Sequence, residues 1–142
     1  MIEHYRKTCV LLAVALSIGC LPANGKQPRA TYPTQLHGVW QAAGNECVLP
    51  GNLGTDSAFE IKPDKLVGHG HWNEPTEVVQ ISRKPLAWKI KSRVHIDEHV
   101  IHNYEIYALS DSRLGMYALS DSELRTLTVI DESRSKTYDR CN

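Results

Sequence analysis

The feature that most restricts the fold of this 142-residue chain is a strict alternation of side-chain character over residues 86–97. Apolar or small residues hold one set of alternate positions and polar residues hold the other: Leu86, Trp88, Ile90, Ser92, Val94 and Ile96 against Lys89, Lys91, Arg93, His95 and Asp97. Successive side chains of a β-strand point to opposite faces of the sheet, so this pattern predicts a strand with one buried face.

Shorter segments of the same kind fill most of the remaining chain. The alternation recurs over residues 100–108, and a turn at residues 97–98 would join this segment to the preceding strand. Another turn signal, at residues 73–75, separates a strand that ends at Trp72 from one that begins at Thr76. Since no segment combines a helical period with helix caps, we predict an all-β domain.

The alternating positions also predict which side chains are buried. Apolar residues at the inward positions should form the core: Trp40, Phe59, Ile61, Trp72, Val79, Ile81, Trp88, Ile90, Val94, Tyr104, Ile106, Leu127 and Val129. Three carboxylates at alternate strand positions, Glu60, Glu77 and Glu105, are expected to face solvent. Without a visible partner, none of them predicts an acid–base pair.

Residues 1–25 have the order of a secretory signal peptide. Arg6 and Lys7 precede an apolar run from Val10 to Ile18, and small residues follow Pro22. The run is shorter than the roughly 20 apolar residues that a membrane-spanning helix needs. We therefore expect export of a mature chain of residues 26–142 to the periplasm or the medium.

Cys20 allows a second interpretation of the same segment. Residues 16–20 resemble the cleavage box of bacterial lipoproteins, in which the cysteine becomes the lipidated first residue. Soluble export and an outer-membrane lipoprotein both remain open, and a lipid on Cys20 is the only membrane contact predicted. Residues 26–35 contain two prolines and no periodicity, which predicts a flexible arm or tether before a β-barrel domain at residues 36–142.

The mature chain would keep two cysteines, Cys47 and Cys141. Disulfides persist in exported proteins. Cys47 follows the first predicted strand, and Cys141 ends the last one. A bond between them would join the strands that become neighbours when an up-and-down antiparallel sheet closes on itself. We therefore predict one disulfide in a small barrel of about eight strands that is closed or nearly closed.

Gly38-Val39-Trp40 in the first predicted strand resembles the G-x-W motif of lipocalins. In that family the Trp closes the barrel floor and an Arg late in the last strand packs on it, and Arg140 occupies the matching place. The resemblance implies structural roles for Gly38, Trp40 and Arg140. It also implies a carrier of a small apolar ligand as one function.

The same region is similar to small periplasmic barrel inhibitors of secreted metalloproteases, in which an exported arm leads into G-x-W and a nearby Cys. That resemblance implies that residues 26–35 enter the cleft of an enzyme, with Tyr32, Thr34 and Gln35 as contact residues. Extended segments of this kind bind largely through main-chain hydrogen bonds. The implied partner is an envelope or secreted protein, with a hydrolase as the favoured class.

Two groups of histidines are candidates for metal binding. Residues 95–99 match the H-x-x-E-H motif of inverted metalloproteases, which needs both histidines on one helix. The strand pattern instead places residues 97–98 in a turn, so no protease site is predicted. His69 and His71 would leave one strand face together, and with His95 and His99 they would suit a non-catalytic zinc or copper site.

Charge and motifs exclude several classes of function. Without residues 1–25 the chain has 14 basic and 15 acidic residues, and it therefore lacks the basic excess of nucleic-acid-binding proteins. It has no G-x-S-x-G motif and no Gly-rich phosphate loop. We predict a non-enzymatic envelope binding protein without a cofactor, and rank an inhibitor or immunity-type partner of a secreted hydrolase first. The ligand carrier and the His-based metal module are the alternatives.

Overall fold

The computed structural model describes residues 28–47, 55–111 and 125–141. Within these residues, eight antiparallel strands form a closed barrel in the order of the sequence. The strands are β1 Gly38–Ala42, β2 Ala58–Ile61, β3 Leu66–Gly68, β4 His71–Arg83, β5 Leu86–Ile96, β6 His99–Asp111, β7 Arg125–Ile130 and β8 Ser135–Cys141. A short 3-10 helix, Thr34–Leu36, precedes β1. The predicted all-β, up-and-down barrel is confirmed.

Several predictions fall on other parts of the chain. The signal peptide, residues 1–25, and the lipidation candidate Cys20 lie outside the described residues, and both stay predictions. In the part of the chain that the structure describes, no helix is both long and apolar enough to cross a membrane.

The barrel closes through the pairing of β1 with β8. Val39 lies opposite Cys141, and Trp40 lies opposite Arg140. On its other side β1 pairs with β2, so β1 has no open edge. Cys141 is bonded to Cys47, which lies in the loop after β1. The predicted disulfide is confirmed, and it is compatible with an oxidising compartment.

Two irregularities in β4 change which of its residues face inward. The register between β4 and β5 shifts between Pro75 and Glu77, and again between Gln80 and Ser82. Proline has no N–H to give to a ladder, and a bulge accommodates it inside a strand. The turn predicted at residues 73–75 is therefore wrong. The chain instead turns at residues 69–70, and β4 continues through Pro75.

The core lies inside the barrel and differs in part from the predicted set. It consists of Tyr32, Leu36, Trp40, Phe59, Ile61, Leu66, Trp88, Ile90, Tyr107, Leu109, Leu127 and Tyr138. Four residues that the alternation places in the core are instead exposed by 40 to 50%: Trp72, Val79, Ile81 and Tyr104. They lie on the outer wall of the barrel. The bulges in β4 reverse Val79 and Ile81, the register of β6 reverses Tyr104, and Trp72 pairs with His95 on the polar face of β5.

The register of β6 also corrects the prediction for Glu105. Buried Ile90 of β5 lies opposite Glu105, and buried Trp88 lies opposite Tyr107. Residues that are directly paired across two strands share a face of the sheet. Glu105 and Tyr107 therefore face the interior, and Tyr104 faces outward. The expectation that Glu105 faces solvent is wrong.

One end of the barrel is closed by the chain that precedes β1. Tyr32 is 2% exposed, and its hydroxyl oxygen lies 3.4 Å from Ser92 Oγ. Its ring meets Tyr107 edge to face, with 6.2 Å between centroids. The backbone N–H of Tyr32 donates to the carbonyl of Pro63 at 2.9 Å. Burial raises the pKa of Tyr32 to about 12. Tyr32 is thus packed into the barrel and is not held out on an arm.

Trp40 and its contacts complete this closed end, which we call the floor. Trp40 is fully buried, and its Nε1–H donates to the carbonyl of Leu36 at 2.8 Å. Arg140 Cζ lies 5.7 Å from the Trp40 ring centroid, and Arg140 Nη2 donates to the carbonyl of His37 at 2.7 Å. Gly38 has φ of +132°, and a Cβ there would lie 3.4 Å from Arg140 Nε. Glycine suits this position in both backbone conformation and space.

Candidate functional site at the mouth of the barrel

The end of the barrel opposite the floor opens into a cavity of about 360 Å³. β8 connects the two ends, because it runs from Lys136 beside the cavity to Arg140 at the floor. We call this space the mouth cavity. Its inner side chains include His71, Asn73, Glu105 and Tyr107, and its rim includes Asp131, Arg134 and Lys136.

A carboxylate and a phenol are paired inside the mouth cavity. The Tyr107 hydroxyl donates to Glu105 Oε2 at 2.6 Å. The two residues are two apart on β6 and therefore share a face. Burial raises the pKa of the Glu105 carboxyl, and the hydrogen bond from Tyr107 acts in the opposite direction. Burial also raises the pKa of the Tyr107 phenol well above its ordinary value.

Asn73 contributes a buried amide to the same cavity. The residue is 4% exposed, and its Oδ1 has no hydrogen-bond partner among the described residues. A buried polar atom without a partner costs about 1–3 kcal/mol. In a folded protein such an atom calls for an explanation, and a ligand that donates a hydrogen bond provides one.

His71 supplies a third polar group. Its Nδ1 lies 3.0 Å from the carbonyl oxygen of His69. A carbonyl can only accept, so Nδ1 carries the proton and Nε2 of the neutral ring is an acceptor. Gly68 packs against the ring, and a Cβ at residue 68 would lie 2.8 Å from Nε2. The walls of the mouth cavity therefore hold three acceptors: the Glu105 carboxylate, Nε2 of a neutral His71, and Asn73 Oδ1, which is itself buried in the wall.

The pKa of Glu105 leads to a prediction about stability. We expect Glu105→Gln to stabilise the protein near neutral pH and to change little near pH 4. The folded-state pKa lies above the ordinary value of 4.5, so the folded protein loses stability as the pH rises from 4.5 through the folded pKa. Glutamine does not ionise, and its amide oxygen can still accept from Tyr107.

Urea unfolding of both proteins at about pH 4 and about pH 8 checks this prediction. The advantage of the variant should be larger at the higher pH. The same difference at both pH values would mean that the ionisation of Glu105 is not coupled to folding.

The four histidines predicted as metal candidates do not form one cluster. His69 and His71 lie beside the mouth cavity. His95 stacks on Trp72 at the outer wall, with 3.6 Å between ring centroids, and the β5–β6 turn separates it from His99. Across residues 28–47, 55–111 and 125–141, no three His, Cys, Asp or Glu side chains are grouped so that they could hold a metal ion.

The residues predicted on the arm lie away from the mouth cavity. Thr34 and Gln35 are exposed on the 3-10 helix. Tyr32 is buried in the core, so its ring is not available to a partner. The predicted contact of Thr34 and Gln35 with a partner protein stays a prediction.

A larger groove of about 700 Å³ lies on the outer wall, between residues 29–31 and Trp72. Here His95 Nε2 lies 3.9 Å from Glu74 Oε2, which is beyond hydrogen-bond distance. The charged side chains of the groove have both signs: Arg29, Lys65, Asp64 and Asp97. The mouth cavity also has charges of both signs, so charge does not distinguish the two spaces. We place the candidate site in the smaller mouth cavity because it lies inside the barrel.

The outer surface of β4, β5 and β6 combines apolar and basic side chains. Val79 lies opposite Lys89, and Lys89 lies opposite Ile106 in one row across the strands. In the next row Lys91 lies opposite Tyr104. The ammonium nitrogens of Lys89 and Lys91 are 5.5 and 5.2 Å from the Tyr104 ring centroid. We call these five residues the outer face.

Comparisons with protein-family models, with curated proteins and with solved structures return no match for this chain. Over the described residues, the structure shows a small, closed, eight-stranded antiparallel barrel with one disulfide.

Proposed function

We propose that this protein is a non-enzymatic binding protein that holds a small polar molecule in its mouth cavity. The observation that supports this most directly is the buried Asn73 Oδ1, which lacks a partner beside a cavity of about 360 Å³. The floor closes the other end of the barrel, so the cavity is a cup. A concave site with a few convergent polar groups is the usual form of a small-molecule site.

The polar lining argues against the apolar ligand that the resemblance to lipocalins implies. Covering Glu105, Asn73 and His71 with hydrocarbon would remove water from these groups without giving them hydrogen bonds, which is costly. The deeper barrel is already filled by fully buried side chains, such as Leu36, Trp40 and Leu127. A small polar molecule suits the remaining space better.

The proposed place of action is the cell envelope or the medium. The Cys47–Cys141 bond is compatible with an oxidising compartment. We propose that the protein is exported and then either is soluble or is anchored by a lipid on Cys20.

The test is an NMR titration of the purified protein with a panel of small polar metabolites. A ligand of the mouth cavity should shift the amide signals of Asn73 and Glu105 and leave Lys89 and Lys91 unchanged. It should also raise the melting temperature with concentration, because a ligand that binds only the folded state stabilises it. If no member of a broad panel shifts the mouth signals, the proposal is wrong.

The outer face supports a second candidate function, the binding of a protein. Val79 and Tyr104 are more than 40% exposed, and two lysines flank the Tyr104 ring. Exposed apolar groups of this kind beside charge are typical of interaction surfaces. The positive charge suits an acidic partner. We propose that the partner of this surface is an acidic secreted hydrolase that the barrel inhibits.

Enzyme inhibition tests the second candidate. The protein is added to a panel of secreted hydrolases, and residual activity is measured. Lys91→Glu should abolish inhibition of an acidic target, whereas Lys136→Glu, on β8 and away from the outer face, should not. Equal loss in both variants, or no inhibition of any acidic hydrolase, would exclude this use of the outer face.

A further inference from the structure

We propose that the mouth cavity recognises the protonated primary amine of a small organic molecule. This inference rests on the proposed function and names the chemical class of its ligand. The ammonium group would donate to the Glu105 carboxylate, to Asn73 Oδ1 and to His71 Nε2.

The first argument is the number of acceptors. Tyr107 donates to one oxygen of Glu105, but a carboxylate accepts several hydrogen bonds. Asn73 Oδ1 has no partner within the described residues, and Nε2 of a neutral His71 accepts because Nδ1 donates to the His69 carbonyl. A primary ammonium has three N–H donors and no acceptor. Its donors therefore match the three acceptors in number and in kind.

The second argument is charge. An ionised carboxylate inside a cavity is stabilised by an opposite charge that takes the place of the lost water. Among the charged groups around Glu105, Asp131 raises its pKa and Arg134 lowers it, and His71 lowers it only when its ring is protonated. A cation beside Glu105 would favour the ionised form and gain a charge-assisted hydrogen bond.

The basic side chains at the rim do not cancel the preference of the mouth cavity for a cation. Arg134 Nε donates to Asp131 Oδ2 at 2.9 Å, and the hydrogen bonds from Ser133 and Arg134 lower the pKa of Asp131 to about 2. Asp131 therefore stays ionised and balances Arg134. Lys136 is exposed at the rim, where water screens its charge. The acceptors inside the cavity, and not the rim charges, therefore determine which chemical group the cavity binds.

The experiment compares four molecules of one length that differ at one end. They are 4-amino-1-butanol, 1,4-butanediol, 4-hydroxybutanoate and the N-trimethylated form of the amine. NMR titration near neutral pH follows the amide signals of Asn73 and Glu105. The primary amine should bind most tightly, because the trimethylated cation keeps the charge but has no N–H to donate.

Two variants provide the matched test. Glu105→Gln keeps the shape and the contact with Tyr107, and it should weaken amine binding by about 10- to 100-fold. Glu60→Gln removes a carboxylate from the outer wall, where Glu60 pairs with Lys62 at 3.2 Å, and should leave binding unchanged.

The outcomes separate this inference from the proposed function. The inference is wrong if the diol or the carboxylate binds at the mouth as tightly as the amine, or if Glu105→Gln binds the amine as well as the wild type. Either result would leave the proposed function, the binding of a small polar molecule, in place. If the amines and the broad metabolite panel all leave the mouth signals unchanged, both are wrong.

Discussion

Replacing Trp40 with alanine should lower the free energy of unfolding by about 3–5 kcal/mol, whereas the same replacement at Trp72 should cost about 1 kcal/mol or less. Trp40 is fully buried, donates to Leu36 and lies under Arg140, so its loss would leave a cavity and an unpaired carbonyl at the floor. Trp72 is 40% exposed, and its replacement would remove its stacking on His95.

Urea unfolding followed by circular dichroism measures both effects. Each variant removes the same side chain, so the difference between them measures what burial and the floor contacts add at Trp40. The alternation places both tryptophans in the core, and only the structure shows that Trp40 is buried and Trp72 is exposed. Losses of similar size would mean that the floor does not depend on Trp40.

The other large effect is expected from the disulfide. The double variant Cys47→Ser and Cys141→Ser should lose about 4 kcal/mol, because the bond restricts the unfolded chain across a separation of 94 residues. Changing both cysteines together avoids an unpaired thiol. The comparison is urea unfolding of the oxidised wild type and the double variant.

Hydrogen exchange provides the local control for this prediction. Cys141 pairs with Val39 in the β1–β8 ladder, so amides there should lose more protection than amides of the β4–β5 ladder. A loss below about 1 kcal/mol, with equal protection in both ladders, would contradict a stabilising role for the bond.

The class of the fold follows from local pattern. The side-chain alternation over residues 86–97 exists because successive residues of a strand face opposite sides, so it identifies β5 directly. The pairing of Cys47 with Cys141 then indicates that the first and last strands meet, and the barrel does close between β1 and β8.

The buried face of β6 can be predicted from the sequence, but the prediction needs one further step. A two-residue turn at residues 97–98 pairs Ile96 with His99, as the structure has it. Paired residues share a face, so counting by twos from His99 puts Glu105 and Tyr107 inside. Apolar residues occur on both faces of β6, and hydropathy alone therefore selects the wrong one.

Other parts of the site leave no such pattern. The two register shifts in β4 reverse the expected positions of Val79 and Ile81, and bulges are decided by contacts with the neighbouring strand. Tyr32 lies in an aperiodic segment, where nothing local shows that its ring enters the barrel. Asn73 lies beside Pro75 in a segment that has the composition of a turn, so its inward position depends on tertiary packing.

The order of the strands also bears on the way in which the chain folds. Among the described strands, every ladder except one joins consecutive strands, and the exception joins β1 to β8. Hairpins close short loops, whereas this ladder brings together segments about 100 residues apart and forms more slowly. During folding, β1 keeps one edge unpaired until β8 pairs with it. An unpaired edge can associate with other chains, so the arrival of β8 ends the aggregation-prone stage of folding.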